Sequence, residues 1–218
     1  MTAQSPSGSA LLMGATGLVG SAALPLLAEQ FETVWLPGRR APESAPENSH
    51  FVQTDFSDFQ VLDDTVQDVP EVLCIAFGTT IKQAGSQARF REIDHDYPLA
   101  LARWAVARGT RRICLITAVG AEASSRVFYN RTKGELEDAL RELPLQSLHI
   151  LRPSLLLGPH PGRPLENLSQ WIMGPLAPVI TARYRPIKAE QLARTLVGCA
   201  SQTEATGVSI LEGTPLFR

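Results

Sequence analysis

The feature that most constrains this chain is the run over residues 9–20, S-A-L-L-M-G-A-T-G-L-V-G. An apolar stretch, Ala10-Leu11-Leu12-Met13, breaks at Gly14 and gives way to Gly17 and Gly20. The Ala/Leu-rich segment 21–30 that follows reads as a helix. Strand, glycine turn and helix in that order aim backbone N–H groups at a bound pyrophosphate, and the helix N-terminus adds partial positive charge. The glycines divide the mechanical work, since Gly14 makes the tight turn, Gly17 lets phosphates approach, and Gly20 lets the helix pack on the strand. The plainer alternative is a turn that serves the fold alone. Its context favours dinucleotide binding, with Gly14, Ala15, Thr16, Gly17, Leu18, Val19 and Gly20 as the loop.

A length of 218 residues suits a single domain over 1–218, with residues 155–187 expected as a small substrate-side cap. Apolar residues make up 44% and charged ones 19%, enough for a sizeable core. A net charge of -2 offers no footprint for nucleic acid, so no such partner is expected. No apolar run approaches the roughly 20 residues of a membrane-spanning helix. Residues 1–9 are small, polar and uncharged, without the basic start of an export signal, and read as a loose terminus. Cys74, Cys114 and Cys199 lie far apart, two of them in strand-like runs, as in a reduced compartment, so a cytoplasmic location is expected. His50, His95, His149 and His160 lack ligand spacing, and no metal site is expected.

Thr33-Val34-Trp35-Leu36 reads as a second strand closing at Pro37-Gly38, and Arg39-Arg40 follow at once. In a dinucleotide-binding βαβ unit this position carries an acid for the ribose 2′-hydroxyl or a base for a 2′-phosphate. Here it carries two arginines, either a solvated basic pair or a 2′-phosphate site, and the position favours NADP(H) over NAD. Residues 50–54 form a short strand leading to Asp55-Phe56, where Asp55 can accept from an adenine amino group or cap a helix over 59–66. The apolar run 71–77 reads as a central parallel strand buried on both faces, and Phe77-Gly78-Thr79 leave it where the cofactor ribose should pass.

Phe90, Ile93, Tyr97, Leu101 and Trp104 recur at helical spacing and predict one long helix over 86–108, with Pro98 a site for a kink and Gly109 a stop. A fifth strand over 112–117, a helix over 127–143 and a sixth strand over 148–152 follow, the last running into Pro153. Residues 160–186 turn to proline, glycine and isolated apolar positions. A helix over 189–201 and a strand over 208–211 close the chain. Six or seven apolar strands alternating with helices define an α/β class, a doubly wound parallel sheet of Rossmann type with a small C-terminal cap. Ligands sit outside the carboxyl ends of such strands. Gly14, Arg39, Asp55, Gly78 and Thr117 all fall there.

Tyr129 and Lys133 stand one helical turn apart after strand five, on one face of their helix. An ammonium beside a phenol favours the phenolate and lowers a tyrosine pKa that starts at about 10. Such a phenol can give its proton to a carbonyl oxygen as hydride arrives from a nicotinamide, or take it back. The pair is common on helices; behind this glycine loop it reads as catalytic.

The G-x-x-G-x-x-G of Gly14, Gly17 and Gly20 and the Y-x-x-x-K of Tyr129 and Lys133 resemble the extended or atypical short-chain dehydrogenases/reductases. More narrowly, G-T-T-I-K-Q-A-G-S, Y-N-R-T-K-G-E-L-E and L-R-P-S-L-L-L-G-P are similar to the Tat-interacting, oxidoreductase-like proteins and their bacterial relatives, over about residues 9–213. The resemblance implies a Rossmann sheet, NADP(H) as cofactor, Lys133 on the nicotinamide ribose, and the backbone from Pro153 to Leu156 beside the nicotinamide. It also implies a serine or threonine after strand five to orient the substrate. Thr117 is the candidate here, with Ser124 and Ser125 as substitutes, because the segment reads I-T-A-V-G where relatives often show paired serines.

Two classes of function fit. The first is an NADP(H)-dependent oxidoreductase acting on a small carbonyl or alcohol, with Tyr129 as acid/base, Lys133 tuning it and Thr117 polarising the substrate. A sugar-nucleotide epimerase or dehydratase is a variant, disfavoured because the cap offers only Arg163, Arg183 and Arg185 to grip a diphosphate. The second is a regulator that binds NADPH and reports to a protein partner, with Trp171, Ile172, Met173, Leu176 and Val179 as an apolar surface. A monomer or a homodimer fits either.

Overall fold

The computed structural model describes residues 6–157 and 184–217. Seven parallel strands form one sheet: β1 (Ser9–Met13), β2 (Thr33–Gly38), β3 (Ser49–Gln53), β4 (Val72–Ile75), β5 (Arg112–Ile116), β6 (Ser147–Arg152) and β9 (Gly207–Glu212), in the order β3-β2-β1-β4-β5-β6-β9. The order reverses between β1 and β4, which creates a crevice at their carboxyl ends. A separate pair, β7 (Leu156–Leu157) with β8 (Ile187–Lys188), brings the two ends of the expected cap together. The rest of that cap, with Arg163, Arg183 and the apolar set from Trp171 to Val179, lies outside the described residues.

Period-2 alternation divides the inner strands between two cores, while β9 at the sheet edge leaves Val208 and Ile210 exposed. In β1, Ala10 and Leu12 face one cluster with helices α1 (Leu18–Gln30) and α7 (Ala189–Ala200). Leu11 and Met13 face the other, with α2 (Gln60–Thr65), α5 (Tyr97–Arg108) and α6 (Phe128–Arg141). Each fully buried leucine in these layers contributes about 1.5–3 kcal/mol, so the strands are held from both sides. Cys74 and Cys114 are cross-strand neighbours inside this packing and, like Cys199, remain free thiols.

The terminus expected to be loose is tied down from Gly8, whose carbonyl accepts from the N–H groups of Glu32 and Thr33, and Ser9 already belongs to β1. The helix expected over 86–108 is divided. A short α3 (Ile81–Ala84) and α4 (Gln87–Arg91) precede a π-helical turn (Glu92–Asp96), and α5 begins at Tyr97. Pro98 supplies no N–H and its ring crowds the carbonyl four residues back, that of Asp94. That crowded turn is the one that opens into π geometry, so the helix continues widened rather than broken.

Candidate active site

On the β1–β3 side the cleft is made largely of backbone. Gly14 has φ +97°, and a Cβ there would lie 2.5 Å from the Ala76 carbonyl oxygen. The Gly17 N–H donates to the Gly14 carbonyl at 2.9 Å, closing the turn. A Cβ on Gly20 would lie 2.0 Å from that same carbonyl oxygen, so only glycine lets α1 meet the end of β1. Gly17 is also the N-cap of α1 and supplies no side-chain acceptor, leaving the first-turn amides available to an anion. Leu18 and Val19 turn their side chains into the core and offer only backbone.

A cavity lined by Gly14, Ala15, Thr16, Arg39, Arg40 and Phe77 joins the glycine loop to the arginine pair. Both arginines are exposed, and neither has a hydrogen-bond or ion-pair partner among the described residues. Arg39 also borders a larger cavity of about 490 Å³ with Thr54 and Asp55. The Asp55 carboxylate accepts from Ser57 through both N–H (2.9 Å) and hydroxyl (2.6 Å), and those bonds hold it below the ordinary aspartate range. It does not cap α2: the N-cap position there is Phe59, and Asp58 receives the Gln60 N–H. Phe56 has φ +67°, its N–H bonded to the Thr54 hydroxyl and its ring buried against Phe77 and Tyr97. A bulky residue in left-handed geometry is strained, and here the strained position lies directly after Asp55.

The β4–β6 side is built from buried charge. Tyr129 is half-buried with its ring 5.4 Å from that of Phe90. One turn on, the Lys133 ammonium stands 2.7 Å from Asp94 Oδ1, though off the line of a good hydrogen bond, with the two side chains 5% and 0% exposed. The other oxygen, Oδ2, accepts from the Thr79 N–H at 2.8 Å. Burial raises the Asp94 pKa against the pull of Lys133. Burial alone would depress the Lys133 pKa, but the Asp94 carboxylate and then Tyr129 outweigh it and hold the lysine above its ordinary value. Sequence reasoning missed Asp94. Its signal was an acid four residues after Phe90, within the apolar stripe of a predicted helix.

Thr117, expected to orient a substrate, turns its hydroxyl toward α6. It is buried and donates at 2.7 Å to Glu137 Oε1. Glu137, fully buried on α6, also takes both arms of Arg152, at 3.0 Å and 2.5 Å, and Arg141 at 3.2 Å. Ser124 and Ser125 lie in the loop before α6. Ser124 has a 3.5 Å contact to Glu122, and the Ser125 hydroxyl accepts from the Val127 N–H. Pro153 is buried and its carbonyl accepts from the Val119 N–H at 2.8 Å, lashing the loops after β5 and β6 together.

Residues 44–176, more than half of the chain, match the family model described as HIM1. The chain belongs to the HIM1 family. The matched stretch holds Asp94, Tyr129 and Lys133 and begins after the glycine loop. This HIM1-family chain is 35% identical to "Protein FMP52, mitochondrial" of Lodderomyces elongisporus over 162 residues, 70% of this chain and 68% of that protein. It is 32% identical to the Debaryomyces hansenii protein of that name over 208 residues, 91% and 90% of the two chains. The family shown is therefore HIM1, rather than the Tat-interacting proteins that the motif blocks resemble. The relatives named mitochondrial also overturn the expectation of a cytoplasmic location, which rested on cysteine usage. In solved structures the fold recurs in MoeE5 in complex with UDP-glucuronic acid and NAD, with TM-score 0.72, 18% identity, and coverage of 95% of this chain and 77% of that one. It recurs again in a short-chain dehydrogenase/reductase superfamily protein from Agrobacterium tumefaciens with bound NAD, with TM-score 0.71, 16% identity and coverage of 94% and 77%. The HIM1-family chain thus has the Rossmann fold of the short-chain dehydrogenases/reductases.

Proposed function

We propose that this HIM1-family chain is an NADP(H)-dependent oxidoreductase acting on a small carbonyl or alcohol. The observation that carries the reading is the placement of Tyr129 and Lys133 on one face of α6, with Lys133 fixed beside Gly78 and Thr79 at the carboxyl end of β4, next to the glycine-loop strand. The glycine loop and the open end of α1 would hold the pyrophosphate, and Arg39 and Arg40 would hold the 2′-phosphate. The cofactor, when bound, supplies or accepts hydride. Tyr129 holds the proton that the substrate oxygen gains or loses, and the Lys133 ammonium stabilises negative charge on the phenol oxygen. Pro153 and the short β7–β8 pair form the base of the proposed cap.

A second reading is favoured by one observation, the engagement by Glu137 of the Thr117 hydroxyl that was expected to orient the substrate. On that reading the chain binds NADPH without turnover and reports to a partner. Titration of the purified protein with NADPH and NADH, followed by a panel of aldehydes and ketones with wild type and Tyr129→Phe, separates the two. The oxidoreductase reading expects preferred NADPH binding and turnover that falls about 10²–10⁴-fold in Tyr129→Phe with NADPH affinity unchanged. Tight NADPH binding without turnover on any substrate supports the regulator. Retained turnover in Tyr129→Phe removes that residue from the mechanism.

A further inference from the structure

Lys133 stands between two groups of opposite character. The phenol of Tyr129 lies one turn back on its own helix, while Asp94 reaches it from the π-helical turn ahead of α5. The remaining charged group acting on it is Glu137, one turn on, already occupied by Arg152 and Arg141. Asp94 is fixed in turn by the Thr79 N–H. The fit leaves no room: a Cβ on Gly78 would stand 2.8 Å from Asp94 Oδ1 and 3.3 Å from Lys133 Nζ. Single π turns inside helices are rare and recur at functional sites. Here the turn carries the one carboxylate that, among the described residues, meets the lysine ammonium directly.

We propose that Asp94 is the positioning residue for Lys133, a buried counter-ion that fixes the ammonium beside Tyr129 and ties it through Thr79 to the loop leaving β4. The functional half of this rests on the oxidoreductase reading, since Lys133 matters to a reaction only where Tyr129 is the acid/base. The structural half stands without it. An ammonium sealed from water keeps its charge only while a counter-ion is present. The ion pair is neutral overall, so Tyr129 meets a dipole of fixed orientation rather than a free cation.

The test uses the full chain without cofactor. Acetylation of Lys133 by acetic anhydride is followed by peptide mass spectrometry between pH 7 and 10 in wild type and Asp94→Asn, with exposed Lys82 and Lys188 as internal references. The expected result is at least about tenfold faster labelling of Lys133 in Asp94→Asn at pH 8, with the reactive limb moved to lower pH and the references unchanged. Equal labelling in the two proteins overturns the proposal. A melting cycle of Asp94→Asn, Lys133→Met and the double variant covers a failure of the single variant to fold. The double variant is expected to melt well above the sum of the single losses, and additive losses overturn the proposal. With a substrate in hand, Asp94→Asn should lower kcat about tenfold or more at unchanged KM, and an unchanged kcat refutes the positioning role. If the wild type turns nothing over, the oxidoreductase reading fails, and labelling and melting still judge Asp94.

Discussion

On the β1–β3 side of the cleft the chain approaches its proposed ligand with backbone: Gly14 in a conformation closed to side chains, Gly20 against a carbonyl oxygen, and helix amides left uncapped at Gly17. On the β4–β6 side it uses charge taken out of water: Asp94 against Lys133, and Glu137 against Arg152, Arg141 and Thr117. The first kind of site is intolerant of volume, and its stability is indifferent to the exposed charges of Arg39 and Arg40. The second tolerates little change of charge, because a buried ion that loses its partner is left with its full desolvation penalty. The difference follows from the role proposed for each side. A phosphate is bound by many equivalent N–H groups, whereas an acid/base is set by a few groups at fixed distances.

Substitutions should divide along the same line. The largest effect is expected from Glu137→Ala, which takes the close carboxylate from Arg152, leaving it Glu212 at 3.8 Å, and frees Thr117. Urea unfolding should show a loss of about 3–5 kcal/mol, with a melting point lower by on the order of 10 °C. A loss below about 1 kcal/mol would mean that solvent reaches this cluster and that the two sides do not differ as described. Next comes Gly20→Ala, which forces a methyl group into the Gly14 carbonyl. Its stability should fall by roughly 1–3 kcal/mol and NADPH binding should disappear in calorimetry, whereas normal binding would show that the turn can relax.

Arg39→Ala with Arg40→Ala should leave stability alone and weaken NADPH by about 10–100-fold with little change for NADH. Equal losses for both cofactors would detach the pair from the 2′-phosphate. The smallest effect is expected from Thr117→Val, about 1 kcal/mol in unfolding for the hydrogen bond to Glu137, with turnover within about twofold. A collapse of kcat in that variant would return Thr117 to the chemistry.

The two sides were also unequally readable. The apolar strand runs, the glycine spacing and the Tyr129–Lys133 turn are local patterns, each set by residues within a few positions of one another, and the described structure keeps them. Asp55 was open between two roles, and the structure removes only the helix cap, since its carboxylate turns to Ser57 while Asp58 takes the first amide of α2. Thr117 has the residue type its position asks for, yet its hydroxyl found a carboxylate on α6 first. Asp94 shows its signal only as an acid in an apolar stripe, a pattern that a solvated helix edge would share.

The amino-acid order by itself therefore determined the doubly wound sheet, the backbone cradle at Gly14–Gly20 and the face that Tyr129 and Lys133 share, because helix and strand periods convert spacing into direction. Only the tertiary structure decided which charges meet. Asp94 and Lys133, or Thr117, Glu137 and Arg152, come from different elements, and a buried ion pair depends on the depth and distance at which those elements pack. Those quantities exist only once the sheet and its helices have closed on one another.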